Sequence, residues 1–311
     1  MQKVGITALV PPELIYITGH VPVDLNNFVP YTEYYPKHKL CAWTAIWRDM
    51  VISKKMVEKL IVVAGGDCHN SLVDGQKIER SGIPTHYFFY PFDGSEKLLE
   101  EECEKLIEFL GEPKCQDAFK IVSDVKKLGL KIDEMRSIGR ISAKSAVDFM
   151  IKWSDLGGSP ENMVNLAKAI EETELSPLPR VALLGVPPIY SDFHEVAENA
   201  GLHIVFDELP FEFLRLGGTD FKKVVRSYAT YTFARPLSFR INFLKQELEK
   251  RKIDGIIHYT QYACHHILED DVLRKELPYP FLTIQGDLPG KTPAQIRLRL
   301  EAFAEMLGIK R

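Results

Sequence analysis

Short apolar runs rich in β-branched residues alternate along this chain with stretches of helical periodicity. Near the start, Lys3-Val4-Gly5-Ile6-Thr7-Ala8-Leu9-Val10 runs into Pro11-Pro12; later, Arg180-Val181-Ala182-Leu183-Leu184-Gly185-Val186 runs into Pro187-Pro188. Each reads as a strand, stopped by a proline pair that cannot continue a hydrogen-bonded ladder. A helical segment follows each strand, then a glycine (Gly19, Gly201), then another apolar run. That strand–helix–strand order predicts a parallel sheet with right-handed crossovers.

The repetition continues. Lys59-Leu60-Ile61-Val62-Val63-Ala64 reads as a buried strand and ends at Gly65-Gly66-Asp67-Cys68, with the two glycines as turn residues. Asp254-Gly255-Ile256-Ile257-His258-Tyr259 reads the same way and leads to Cys264. Sixteen residues after each cysteine a proline opens a further run, Pro84 to Phe89 and Pro280 to Ile284. Two copies of one unit follow. The predicted fold is α/β, with two Rossmann-like (flavodoxin-like) parallel-sheet lobes at 1–94 and 177–311.

Between the lobes, residues 95–176 read as helical. Glu96 to Leu110 carries an apolar face of Leu98, Leu99, Leu106, Ile107 and Leu110, and 121–130, 141–153 and 161–172 continue the pattern. Ser159-Pro160 predicts an N-cap with proline in the first turn, and Ser176-Pro177-Leu178-Pro179 a linker. Thr292-Pro293 through Leu307-Gly308 predicts a last helix with an N-cap, proline at its first position and a glycine stop.

Composition narrows the setting. Of 311 residues, 45% are apolar and 26% charged, with a net charge of −4, so cores can form and no basic field invites nucleic acid. No apolar run approaches the roughly 18 residues of a membrane helix. The first residues show neither a basic leader nor a cleavage site. A soluble, cytoplasmic protein is expected. Five cysteines at 41, 68, 103, 115 and 264, an odd and unpaired set, argue against a disulfide framework.

In open α/β sheets, ligands gather at the carboxyl ends of strands. Cys68 and Cys264 both fall just past such ends, and Cys41 follows an aromatic loop, Tyr31 to Pro36, that can reach the same cleft. Three convergent thiols without a fourth suggest an iron–sulfur cluster with one open iron. Burial as small core residues is the competing reading. Cys103, inside the acidic run Glu100-Glu101-Glu102, and Cys115 are expected to be structural, since acidic neighbours disfavour a thiolate. Cys68-His69 and Cys264-His265-His266 also allow a zinc site, although His69 and His265 fit better as hydrogen-bond partners of the sulfurs, and better still as ordinary surface or core histidines. Arg136, Arg140 and Lys144 recur at helical spacing, as a phosphate site or a solvated face. Neither a Gly-x-Gly-x-x-Gly nor a Walker loop occurs, nor a Gly-x-Ser-x-Gly elbow.

Gly5 through Pro22, reading Gly-Ile-Thr-Ala-Leu-Val-Pro-Pro-Glu-Leu-Ile-Tyr-Ile-Thr-Gly-His-Val-Pro, resembles the opening of the 2-hydroxyacyl-CoA dehydratase / benzoyl-CoA reductase family. The closing helix, Ala294 to Leu307, is similar to that family's C-terminus, and Cys41, Cys68 and Cys264 fit its three cluster-binding cysteines. The resemblance implies a [4Fe-4S] cluster, or in one branch a double-cubane [8Fe-9S] cluster, between the lobes. It implies a CoA-thioester substrate whose carbonyl meets the open iron, accepts one electron and expels the neighbouring hydroxyl. It further implies a homologous second subunit or a homodimer, and a separate ATP-hydrolysing iron–sulfur activator, with no nucleic acid and no membrane. Asp207-Glu208-Leu209-Pro210-Phe211 lacks a cysteine that many relatives carry there, which counts against a cluster needing more thiols. Glu13, in the Pro-Pro-Glu loop, is either an acid/base group or a helix-start carboxylate favoured by the dipole. A stand-alone double-cubane reductase and a non-catalytic structural or electron-relay subunit are the alternatives.

Overall fold

The computed structural model describes residues 1–65, 68–115 and 117–308; the expected turn residue Gly66 lies outside these. Two four-stranded sheets form, each wholly parallel. The first contains β1 (Lys3–Ile6), β2 (Val21–Asp24), β3 (Lys59–Gly65) and β4 (Thr85–Phe89) in the order β2-β1-β3-β4. The second contains β5 (Arg180–Gly185), β6 (His203–Asp207), β7 (Gly255–Gln261) and β8 (Phe281–Gly286) in the order β6-β5-β7-β8. The orders are the same, as two copies of one unit require. Every residue of β6 and β7 is buried, the mark of strands covered by helices on both faces.

The β1 ladder is shorter than its apolar run. It stops at Ile6 because Thr7 turns inward: its amide donates to the Ile61 carbonyl at 3.2 Å, and its hydroxyl accepts from the Val63 amide at 3.1 Å. Thr7, Ala8 and Leu9 are thereby released from the sheet toward the space between the lobes.

The middle segment is helical as expected, at Glu96–Leu110, Ala118–Ser137, Ala143–Met150 and Pro160–Lys168. Ser159 caps the last of these, accepting from the Asn162 amide at 3.2 Å, with Pro160 first inside. The final helix, Ala294–Met306, differs at its start: Pro293 is the cap residue, and Thr292 gives both its amide and hydroxyl to Asp192, at 2.7 and 2.8 Å. Gly308, at φ +97°, provides the expected stop.

One apolar core joins the helices of the middle segment to Leu14, Ile15 and Phe88 of the first lobe and to Phe213, Tyr228 and Phe233. Cys103 lies within it and Cys115 packs against it. Burial, and then Glu102 and its acidic neighbours, push the Cys103 thiol up. Arg136 is neither a phosphate ligand nor part of a solvated face. It is fully buried, paired with Asp133 at 2.5 Å and with Asp207, whereas Arg140 is exposed with Glu172. No helix among the described residues is long and apolar enough to cross a membrane.

Candidate metal centre

The carboxyl ends of both sheets face one cavity, which holds about 840 Å³ of atom-free space counting its mouth. Each lobe supplies matching parts of the wall: Thr7 to Leu9 after β1 and Val186-Pro187 after β5; Asp24, Asn26 and Asn27 after β2 and Leu209 and Phe213 after β6; Cys68 after β3 and Cys264 after β7. Cys41 joins them from its loop. The structure therefore brings Cys41, Cys68 and Cys264 to one surface, while Cys103 and Cys115 lie elsewhere.

Each of the three stands directly before a helix. Cys41 precedes Ala42–Lys54, Cys68 precedes His69–Glu79, and Cys264 precedes the short 3₁₀ turn His265–Glu269. The first two helices are held together by Asp74, which accepts from the Thr44 hydroxyl at 2.6 Å and from Arg48 Nη1 at 2.7 Å. Burial by itself would raise the Asp74 carboxyl; hydrogen bonds from Lys77, Thr44 and Arg48 outweigh it and keep the group ionised. Gly75 lets the second helix lie close on β3, since a Cβ there would sit 2.5 Å from Val62 Cγ2. Ser71 donates to the Cys68 carbonyl at 2.7 Å. Burial raises the Cys41 thiol, and the amides of Thr44 and Trp43 act against it.

Across the cavity, Ala263 takes φ +63°, a left-handed conformation that only a tight turn imposes on alanine. The Cys264 amide then donates to the Gln261 carbonyl at 2.9 Å. Asn70 Nδ2 reaches from the first lobe to the Ala263 carbonyl at 3.1 Å, stitching the two cysteine-bearing turns together.

The histidines separate. His69 is exposed, and its neighbour Asn70 lines the cavity instead. His265 does line it, and desolvation followed by the adjacent His266 pushes its imidazole down to about 4, so it is neutral at pH 7. Glu13 sits in a closed buried cluster away from the thiols: Lys126 Nζ lies 2.6 Å from Oε1, and the Tyr228 hydroxyl donates to Oε2 at 3.1 Å.

One wall residue escaped the sequence reading. Asp24 is buried at the end of β2, where it accepts from the backbone and side-chain amides of Asn26 at 2.9 and 2.7 Å. Burial raises its carboxyl. Nearby Asp155 accepts from the Asp24 amide at 2.9 Å, and burial plus the Asp24 charge raise it to about 7. The signal was present: Gly19 to Asp24 and Gly201 to Asp207 are one more repeat of glycine, apolar run and terminal aspartate. His266, which the sequence offered beside Cys264 and His265 as a zinc ligand, is buried.

No curated protein matches the chain. The family model of the 2-hydroxyglutaryl-CoA dehydratase D-component matches residues 7–307, nearly the whole length and both cysteine-bearing lobes. The chain belongs to the 2-hydroxyglutaryl-CoA dehydratase D-component family.

Proposed function

We propose that this dehydratase-type component is an iron–sulfur subunit in which Cys41, Cys68 and Cys264 hold a [4Fe-4S] cluster serving one-electron reduction of a CoA thioester. The observation that carries this reading is the meeting of three thiols from both lobes on one cavity, each directly before a helix. Thiolates are the ligands such clusters take, and three leave one iron without a protein thiolate. When bound, the cluster supplies low-potential electrons and an open iron that polarises the thioester carbonyl.

The chain's own residues do the rest. Peptide N–H groups at the starts of the Ala42 and His69 helices favour negative charge on the sulfurs of Cys41 and Cys68. Leu9, Trp43, Ile151 and Phe213 form an apolar wall that keeps water from the reacting thioester. Asp24, whose carboxyl burial raises, is the wall group placed to hand a departing hydroxyl the proton with which it leaves as water. The D-component family implies a partner component; we assign the partner as a homologous subunit or second copy, with electrons delivered by a separate ATP-hydrolysing activator.

Anaerobic reconstitution tests this. About four iron and four sulfide per chain are expected, with an EPR signal that a CoA thioester perturbs. Cys41→Ala, Cys68→Ala and Cys264→Ala should each lose the signal, and Cys115→Ala should keep it. Iron retained after Cys264→Ala would refute the ligand set.

A further inference from the structure

Cys264, His265 and His266 offer one donor atom each, and the three lie within 4.8 Å of one another. Adjacent side chains normally diverge. Here the left-handed Ala263 and the 3₁₀ turn that follows fold the run back, so the two imidazole rings sit 4.1 Å apart at their centroids.

A second observation points to a ligand. His266 is 3% exposed, and its Nε2 finds no hydrogen-bond partner among the described residues. Its Nδ1 lies 2.9 Å from Glu269 Oε2 and 3.3 Å from Arg240 Nη1. With its proton on Nδ1, toward the nearer carboxylate, the ring presents Nε2 as the donor nitrogen. Metal-binding histidines are held in this way, by a carboxylate on the far nitrogen. Glu269 is itself paired with Arg240, whose other contacts run to Glu208 at 2.5 and 2.8 Å. The ring is thus oriented by a buried chain of charges that no cavity thiol needs.

We propose that Cys264, His265 and His266 form a site for a single divalent cation of the zinc class, with one position left for water, and that its occupancy excludes a cluster from Cys264. One thiolate and two imidazoles suit such borderline ions. Bond lengths of about 2.3 Å to sulfur and 2.0 Å to nitrogen put tetrahedral donors about 3.3–3.5 Å apart. Side-chain rotation closes that difference. The exclusion rests on the proposed cluster function, because both claims use the same sulfur.

The full chain, stripped of metal by a chelator, is titrated with Co²⁺, whose thiolate charge-transfer absorption reports sulfur ligation. One equivalent should develop the band and Zn²⁺ should abolish it. Cys264→Ser should remove it, His266→Gln should weaken binding, and Glu269→Gln should do so by about ten- to hundredfold. Cys41→Ser and Cys68→Ser should keep it. Absence of the band in the wild type, an unweakened cobalt affinity in His266→Gln, or loss of the band in Cys41→Ser or Cys68→Ser would overturn the site. If circular dichroism shows His266→Gln unfolded, Glu269→Gln decides. Prior loading with one equivalent of Zn²⁺ should block iron and sulfide uptake, and unimpeded uptake refutes the exclusion. Failure of the unloaded chain to take up iron would instead count against the cluster, and the cobalt result would stand.

Discussion

Asp24 and Asp207 end the corresponding edge strands of the two sheets, and both are buried. Their surroundings set them apart. Asp24 faces the cavity with the neutral amides of Asn26 as partners, and burial raises its carboxyl. Asp207 faces the helical segment. Burial would raise it too, but His194 at 2.7 Å and Arg136 outweigh burial and hold it below the usual carboxylate range. One fold position thus yields a protonatable group at the cavity and an ionised anchor at the domain junction. The difference comes from the partners: Asp207 meets His194 of its own lobe and Arg136 of the helical segment, whereas Asp24 meets the amides of Asn26.

The anchor should be the costlier to break. Asp207→Ala strips a partner from the fully buried Arg136 and should destabilise the chain by about 3–5 kcal/mol. Denaturant unfolding measures this, and a loss under about 1 kcal/mol would erase the contrast. The next effect is the pH dependence, and the two sites have opposite signs. Asp155, beside Asp24, titrates near 7 in the fold and near 3.9 when unfolded. The folded state binds the extra proton in that window, so this contribution is full below about pH 4 and lost as pH rises to about 7. Asp207 does the reverse, contributing above about pH 3.9 and losing it as pH falls through its lowered folded value. Asp155→Asn should flatten the fall between pH 4 and 7, on the order of a few kcal/mol, in unfolding midpoints measured across pH. A smaller effect belongs to the cysteine seat of the first lobe. Thr44→Val removes the 2.6 Å bond to Asp74 and should cost about 1 kcal/mol while leaving the Asp207 anchor untouched.

Sequence patterns reached the sheets because β-branched runs and proline stops are local signals, and both lobes repeat them. They also reached Cys68 and Cys264, since a residue just past a strand end is placed by the sheet alone, and Cys41 through the loop that precedes its helix. Arg136 was misread because helical spacing says which residues share a face, not whether that face meets Asp207, 71 positions away. Glu13 does stand in the first turn of the helix Pro12–Ile17, where the proline pair put it, but its partners Lys126 and Tyr228 come from segments 113 and 215 positions off. Long-range pairing of charges, rather than any element boundary, is what the chain kept hidden.

The least costly break lies between the lobes. Lys39, two residues before Cys41, reaches Asp287 of the second lobe at 2.5 Å and lies 5.4 Å over the Tyr262 ring. Asp287 is 49% exposed, so water and salt weaken the pair, and Lys39→Ala should cost only about 0.2–1 kcal/mol. The same pair nevertheless tethers the loop that carries a cavity thiol across the cleft. Hydrogen exchange in residues 32–40 should therefore quicken in Lys39→Ala, and in wild type at high salt, while unfolding midpoints scarcely move. A midpoint loss approaching that of Asp207→Ala would mean that the exposed tether, not the buried anchor, holds the lobes together.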